Sequence, residues 1–186
     1  VAILKEIVPH CDVVVESFRP GVATRLGIDY EQLSAINPRI IMCSISGFGQ
    51  RGPLASVPGH DLNYIARAGV LGLFGPADAP PPVPGVQMAD VAGGALTAST
   101  GVLAALIERD KTGKGRFLDI SMTRSVLSLA ATSTATLGLG MDAPRGKDFL
   151  SGGVPCYQVY PTRDGRFMSL GALEPKFFAT FCELAG

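Results

Sequence analysis

The chain has no excess of charge of either sign: sixteen Lys and Arg balance sixteen Asp and Glu across 186 residues. It therefore has no global field that would recruit nucleic acid or an anionic membrane surface, and any anionic ligand must be met by local charges. Cysteine is sparse. Cys11, Cys43, Cys156 and Cys182 form no Cys-x-x-Cys pair, which argues against a zinc site or a redox motif and fits reduced, buried thiols in a cytoplasmic protein. Only two histidines occur, with no His-x-x-x-His and no close grouping with carboxylates, so no metal site is expected. No stretch approaches the roughly 18 uninterrupted apolar residues of a membrane span, and no basic leader precedes a short apolar run. Gly-x-Ser-x-Gly is absent, which weakens a nucleophilic serine reading. Gly47-Phe48-Gly49 lacks the third glycine and the following helix of a dinucleotide loop.

What is present is core-forming material. Hydrophobic residues make up 47% of the chain, and the mean hydropathy is +0.31. That suits one domain, or one and a fraction, with a sizeable core. Val1–Val8 carries a helical apolar pattern that stops at Pro9, and 12–17 follows as a short continuous apolar run, as in a strand buried on both faces. A helix is predicted from Asp29, with Asp29 and Gln32 as a capping box, ending at Asn37-Pro38. Residues 40–46 are a second buried-strand run.

Helices alternating with such strands imply a parallel α/β sheet, whose ligands sit beyond the carboxyl ends of the strands. The loops 17–21 and 47–53 lie there. A helix follows from Asp61 to about residue 68, then a proline-rich surface loop over 75–85. The most regular helical spacing, Val91 to Ile107, has Asp90 at its start and Gly113 as its stop. Residues 115–122 read as a strand and 125–139 as a helix, with 138–153 irregular. Beyond that, 156–160 and 166–170 form an antiparallel hairpin through an Asp-Gly turn, and 177–186 is helical. The expected architecture is a parallel Rossmann-like sheet with flanking helices over 1–150, and the beginning of a smaller α+β domain over 151–186. The chain begins and ends inside helical patterns, so it is expected to be a fragment of a longer protein.

Polar groups gather at element starts: His60 with Asp61 in Pro58-Gly59-His60-Asp61-Leu62-Asn63-Tyr64, Asp90, and Glu174 before Pro175. Each suits a helix start simply because anionic and capping groups are favoured there. Together, an imidazole and carboxylates at element ends are what general acid-base chemistry requires.

Phe18-Arg19-Pro20-Gly21, Arg25-Leu26-Gly27, Ser46-Gly47-Phe48-Gly49, Gly59-His60-Asp61-x-Asn63-Tyr64, Ala89-Asp90 and Leu173-Glu174-Pro175-Lys176-Phe177 carry a family resemblance. The chain resembles the family III CoA-transferase superfamily (CaiB/BaiF-like) along essentially its whole length. Within it, the Gly-His-Asp-x-Asn-Tyr and Leu-Glu-Pro-Lys-Phe motifs are similar to those of the racemases that act on 2-methyl-branched acyl-CoA thioesters. The family's amino-terminal strand, with its CoA-contacting residues, and its carboxyl-terminal part have no counterpart here.

The resemblance implies that His60 and Asp90 are the two bases on opposite faces of the substrate α-carbon. It implies that Glu174 supports the histidine, and that Ser17, Phe18, Arg19, Arg25, Gly59, Asn63 and Tyr64 hold the CoA ester. The backbone at Asp61 would stabilise an enolate. No cofactor is implied, because CoA is part of the substrate, and the full-length relatives form interlocked homodimers. Two other readings stand beside this one. In a CoA-transferase, Asp90 would be a nucleophile, and in a binding module the CoA ester would be held without turnover.

Overall fold

Ile41–Ser46 (β2) is the centre of the first part of the fold, with only Ile45 among its residues not fully buried. Such a strand cannot alternate polar and apolar residues, because both of its faces are covered. Val13–Glu16 (β1) and Arg116–Ser121 (β3) pair with it in parallel on its two sides, Val13 and Arg116 both in register with Ile41. The computed structural model describes residues 1–140 and 144–186. Residues 141–143, part of the stretch read as irregular, lie outside the described residues.

Alternate residues of β2 and the residue before it feed two hydrophobic layers. Ile40 and Met42 join Val8, Ile28 and Leu33 on one face, while Cys43 packs with Ala98 and Ile120 on the other. The first layer is roofed by Ala2–Ile7 (α1) and Tyr30–Ile36 (α3). Pro9 converts the end of α1 into a 3-10 turn over Val8–His10, and the Asn37 side chain holds that turn by donating to the carbonyls of Val8 and Cys11 at 3.1 and 3.0 Å. A short helix, Val22–Leu26 (α2), lies between Gly21 (φ 83°) and Gly27 (φ 70°), where the sequence suggested only a break. The capping box expected at α3 is half formed. Asp29 accepts from the Gln32 N–H at 3.1 Å, but the Gln32 side chain accepts from Lys5 Nζ at 3.2 Å instead of returning to its own helix start. A tertiary partner has displaced the local one.

Asp61–Arg67 (α4) starts where expected. The helix bearing Asp90 begins earlier than its apolar spacing indicates, as a π-helical segment Met88–Leu96 that runs directly into Thr97–Thr112 (α5) and stops at Gly113 (φ 71°). The π segment packs against Met122–Leu127 (α6) so closely that a Cβ on Gly93 would stand 2.6 Å from the Met122 carbonyl oxygen. The helix expected from residue 125 begins instead at Met122, since the Ser121 side chain caps it by accepting from the Arg124 N–H. It gives way to a 3-10 turn over Ser128–Ala130 and then to Ala131–Gly138 (α7).

Met88–Thr112 is, among the described residues, the one helix long and apolar enough by composition to cross a bilayer. Here it packs Ala98 and Val102 against Cys43, Leu118 and Ile120. Its Arg109 is buried and ion-paired with Asp12 at 2.9 Å, an arrangement suited to a helix laid on a sheet.

The chain divides into two compact units, Val1–Val70 with Pro84–Ala131, and Leu71–Val83 with Thr132–Gly186. The boundary expected at residue 150 falls inside the second unit. Arg145 explains why: its guanidinium donates to the carbonyls of Pro76 and Ala79 and ties chain before residue 150 to the proline-rich loop. In the second unit Tyr157–Pro161 (β4) and Phe167–Gly171 (β5) form the antiparallel hairpin, turning at Gly165 (φ 78°), and Pro175–Ala185 (α8) follows.

Candidate active site

Because β1 and β2 are parallel, their carboxyl ends open on the same edge of the sheet, and a cleft of about 660 Å³ lies there. Ser17, Phe18 and Arg19 enter it from the end of β1, and Ile45, Ser46 and Gly47 from the end of β2. Gly59, His60, Asn63 and Tyr64 line it from the start of α4, and Asp90 from the first turn of the π segment. The imidazole and the carboxylate singled out in the sequence thus share one cleft with most of the expected CoA-ester residues.

Three expected residues stand elsewhere. Arg25 is exposed on α2, its guanidinium folded back beside Gly21, and it does not line the cleft. Asp61 is not among the residues that line the cleft, and its Oδ1 accepts a hydrogen bond from the Asp90 N–H at 2.9 Å. Glu174 belongs to the second unit as the exposed residue at the start of α8.

The start of α4 is built locally. The His60 N–H donates to Asn63 Oδ1 at 3.0 Å, while the His60 carbonyl accepts from the N–H groups of Asn63 and Tyr64. The N–H groups of Asp61 and Leu62, in the first turn, have no carbonyl one turn back within the helix to pair with. The Tyr64 ring packs edge-on to Phe48 with centroids 5.3 Å apart, and its hydroxyl donates to the Gly59 carbonyl at 2.6 Å. Its burial raises the phenol pKa, and Asp90 raises it further, against an opposing pull from Arg19.

Two glycines make the seat for that ring. A Cβ at Gly47 would stand 2.3 Å from Tyr64 Cε1, and one at Gly59 would stand 2.8 Å from it. Gly47→Ala is therefore expected to displace Tyr64 and to destabilise the fold by about 1–3 kcal/mol, the usual cost of overpacking, in urea unfolding followed by circular dichroism.

Asp90 is the electrostatically perturbed acid of the cleft. Burial raises its pKa most, the Asp61 carboxylate raises it further, and His60 pulls it down. Each of the first two causes disfavours a charge on Asp90, so it holds its proton to higher pH than an ordinary aspartate and is a stronger base once ionised. Cys43, by contrast, is pushed up to about 11 by burial and by Glu16, and lies in the core as an inert thiol. All four cysteines are free. Among the described residues no three His, Cys, Asp or Glu side chains are grouped so as to hold a metal ion.

Sequence reasoning overlooked three contributors. Ser46 lines the cleft with a buried hydroxyl that has no partner within the protein. Met122 supplies apolar wall from α6. Asp119, from β3, accepts from the Gln50 N–H with both oxygens, at 3.0 and 3.1 Å, and braces the loop after β2. Ser46 was visible as the last residue of a strand whose carboxyl end was expected to face ligand. The other two depend on which strand and helix become neighbours.

The whole chain, residues 1–186, matches the model of CoA-transferase family III. It is 41% identical to the human α-methylacyl-CoA racemase over 178 residues, covering 95% of this chain and 47% of that protein. It is 36% identical to the human succinyl-CoA:glutarate CoA-transferase over 184 residues, covering 99% and 42%. The crystal structure of a CAIB/BAIF family protein from Brucella suis superposes with a TM-score of 0.84 at 32% identity, over 98% of this chain and 48% of that one. The chain thus spans about half the length of the relatives it matches. A parallel sheet with a cleft at its carboxyl edge, a separate antiparallel hairpin and a family match over every residue lead to one conclusion: the chain belongs to CoA-transferase family III.

Proposed function

We propose that the protein removes and returns the α-proton of a 2-methyl-branched acyl-CoA thioester, inverting the configuration at that carbon. The observation that carries this reading is that His60 and Asp90 line one cleft, with the His60 charge pulling the Asp90 pKa down against burial. A hydrogen beside a thioester carbonyl is a very weak acid, so its removal needs both a positioned base and stabilisation of the enolate that forms. One of the pair takes the proton and the other delivers it from the opposite face. The first-turn N–H groups of α4 face the developing enolate oxygen, and losing one such donor in other enzymes costs about 2.7–4 kcal/mol. Arg19 pairs with CoA phosphate through its planar fork. Ile45, Val57 and Met122 give the branched acyl chain an apolar wall. The working form is a homodimer, which sedimentation equilibrium of the purified protein would test.

The test of the activity is exchange of the α-proton of a 2-methylacyl-CoA in heavy water. Incorporation of deuterium with loss of optical purity is expected, and absence of exchange with every acyl-CoA tried would sink the reading.

A second reading follows from the transferase relative. The Asp90 carboxylate would attack the thioester carbonyl, the C–S bond would break, CoA thiolate would leave, and an acyl anhydride would remain on Asp90. Its mark is a hydroxylamine-trappable adduct at Asp90 formed without α-proton exchange.

A further inference from the structure

We propose that the Asp61 side chain is a positioning residue for Asp90: by gripping the Asp90 backbone N–H it anchors the first turn of the π segment to α4 and fixes where the Asp90 carboxylate stands in the cleft. This rests on the reading of Asp90 as a base.

The first N–H groups of any helix lack partners within it and need a cap. The residue preceding the π segment, Gln87, makes no side-chain cap hydrogen bond. The cap comes instead from Asp61 Oδ1, at 2.9 Å and from a residue 29 positions earlier in the chain. The contact thus joins the two elements that carry the two candidate bases, since His60 immediately precedes Asp61. The π segment also packs through Gly93 against Met122 and Val126 of α6. The Asp61 carboxylate is the charged side-chain grip on its first turn, at the residue whose own carboxylate enters the cleft, so the direction of the Asp90 side chain depends on Asp61.

The same carboxylate acts on the charge of Asp90. The groups facing Asp90 from α4 are His60, Asp61 and Tyr64, with Arg19 acting on Tyr64 from the loop after β1. On α6 the one charged residue, Arg124, is exposed. Burial and Asp61 hold the Asp90 pKa up, and His60 opposes them. Removing the charge of Asp61 while keeping its shape lowers the pKa of Asp90, so the ionised base persists to lower pH.

Asp61→Asn keeps an oxygen acceptor and loses the charge, whereas Asp61→Ala loses both, so the pair of variants separates grip from charge. The purified protein, with its aspartates labelled at the carboxyl carbon, would be titrated by carbon NMR, and exchange of a 2-methylacyl-CoA in heavy water would be followed against pH. Asp61→Asn is expected to lose less kcat than Asp61→Ala and to move both the Asp90 titration and the acid limb to lower pH. Asp61→Ala is expected to lose about tenfold or more in kcat at near-constant KM, as a misaligned base does. Wild-type kcat in Asp61→Ala, or an Asp90 titration unmoved in Asp61→Asn, overturns the proposal. If the wild-type protein itself shows no exchange, the activity reading fails alone. The Asp90 titration then still decides Asp61, a downward shift supporting it and an unmoved titration overturning it.

Discussion

His60→Gln is expected to lower the rate of α-proton exchange from a 2-methylacyl-CoA by about 10²- to 10⁴-fold while leaving binding of the CoA ester within a few-fold of wild type. Gln matches the imidazole in reach and polarity but cannot carry a proton in and out near neutral pH. The start of α4 is built by the His60 N–H donating to Asn63 and the His60 carbonyl accepting from the next turn, and Gln keeps a side-chain acceptor for the capping box with Asn63, so the helix start survives the substitution. The loss therefore reports proton transfer and not folding. The same variant separates the two proposed chemistries. Acyl transfer through Asp90 needs a nucleophile and a leaving thiolate but no second base, so a transferase would keep most of its rate in His60→Gln. Asp90→Asn stops either reaction and cannot make the distinction. Stopped-flow or NMR exchange rates, set beside the Kd of a non-exchangeable CoA thioester, are the measurements. Undiminished exchange in His60→Gln would remove the imidazole from the mechanism.

The second large effect concerns folding. Gly115→Ala is expected to cost at least about 4 kcal/mol, which removes most of the stability of a domain at the low end of the usual range of about 5–15 kcal/mol. Gly115 stands where the chain enters β3, and its N–H donates to the Pro38 carbonyl at 2.8 Å. A Cβ there would lie 1.8 Å from the Ile40 carbonyl oxygen and 2.7 Å from the Arg39 carbonyl carbon. Both obstacles are backbone, so no rotamer change can relieve the overlap. The relief available is to part β3 from the segment leading into β2, which would break the Ile41 to Arg116 register and, with it, the support of the cleft floor. Thermal and urea unfolding of the purified protein measure this directly. A variant within about 1 kcal/mol of wild type would mean that the two strands do not approach so closely.

The contrast between Gly115 and Gly47 shows what kind of information a sequence holds. Both are glycines beside strands, and nothing in the residue types nearby distinguishes a glycine that a strand crossing requires from one that a tyrosine ring requires. The signal in each case is a neighbour remote in the chain: Ile40 for the first, Tyr64 for the second.

Legibility of the candidate site divides in the same way. That His60, Asp90 and the loop after β1 line one cleft was readable, because residue types at element ends and the parallel-sheet rule both point at the carboxyl edge. Asp119 and Met122 were not, since a bracing carboxylate and an apolar wall are ordinary residues until the fold chooses their neighbours. The role of the Asp61 side chain was equally hidden. Its own helix start offers it a local use, and only the approach of Met88–Leu96 supplies the N–H that it accepts from.

The sequence by itself determined the alternation of helices with doubly buried strands, the carboxyl-edge position of the cleft, the stop at Gly113 and the hairpin turn at Gly165. These rest on local terms: apolar periodicity, capping residues, and backbone conformations that glycine adopts without strain. Tertiary structure alone decided that Met88–Leu96 winds as a π-helix, that Gln32 leaves its own helix for Lys5, that Arg145 draws the proline-rich loop into the second unit, and that Asp61 caps the segment bearing Asp90. The physical reason is common to all four. Local hydrogen-bonding choices differ by about 1 kcal/mol, and packing or a charged partner brought from far along the chain is enough to reverse them.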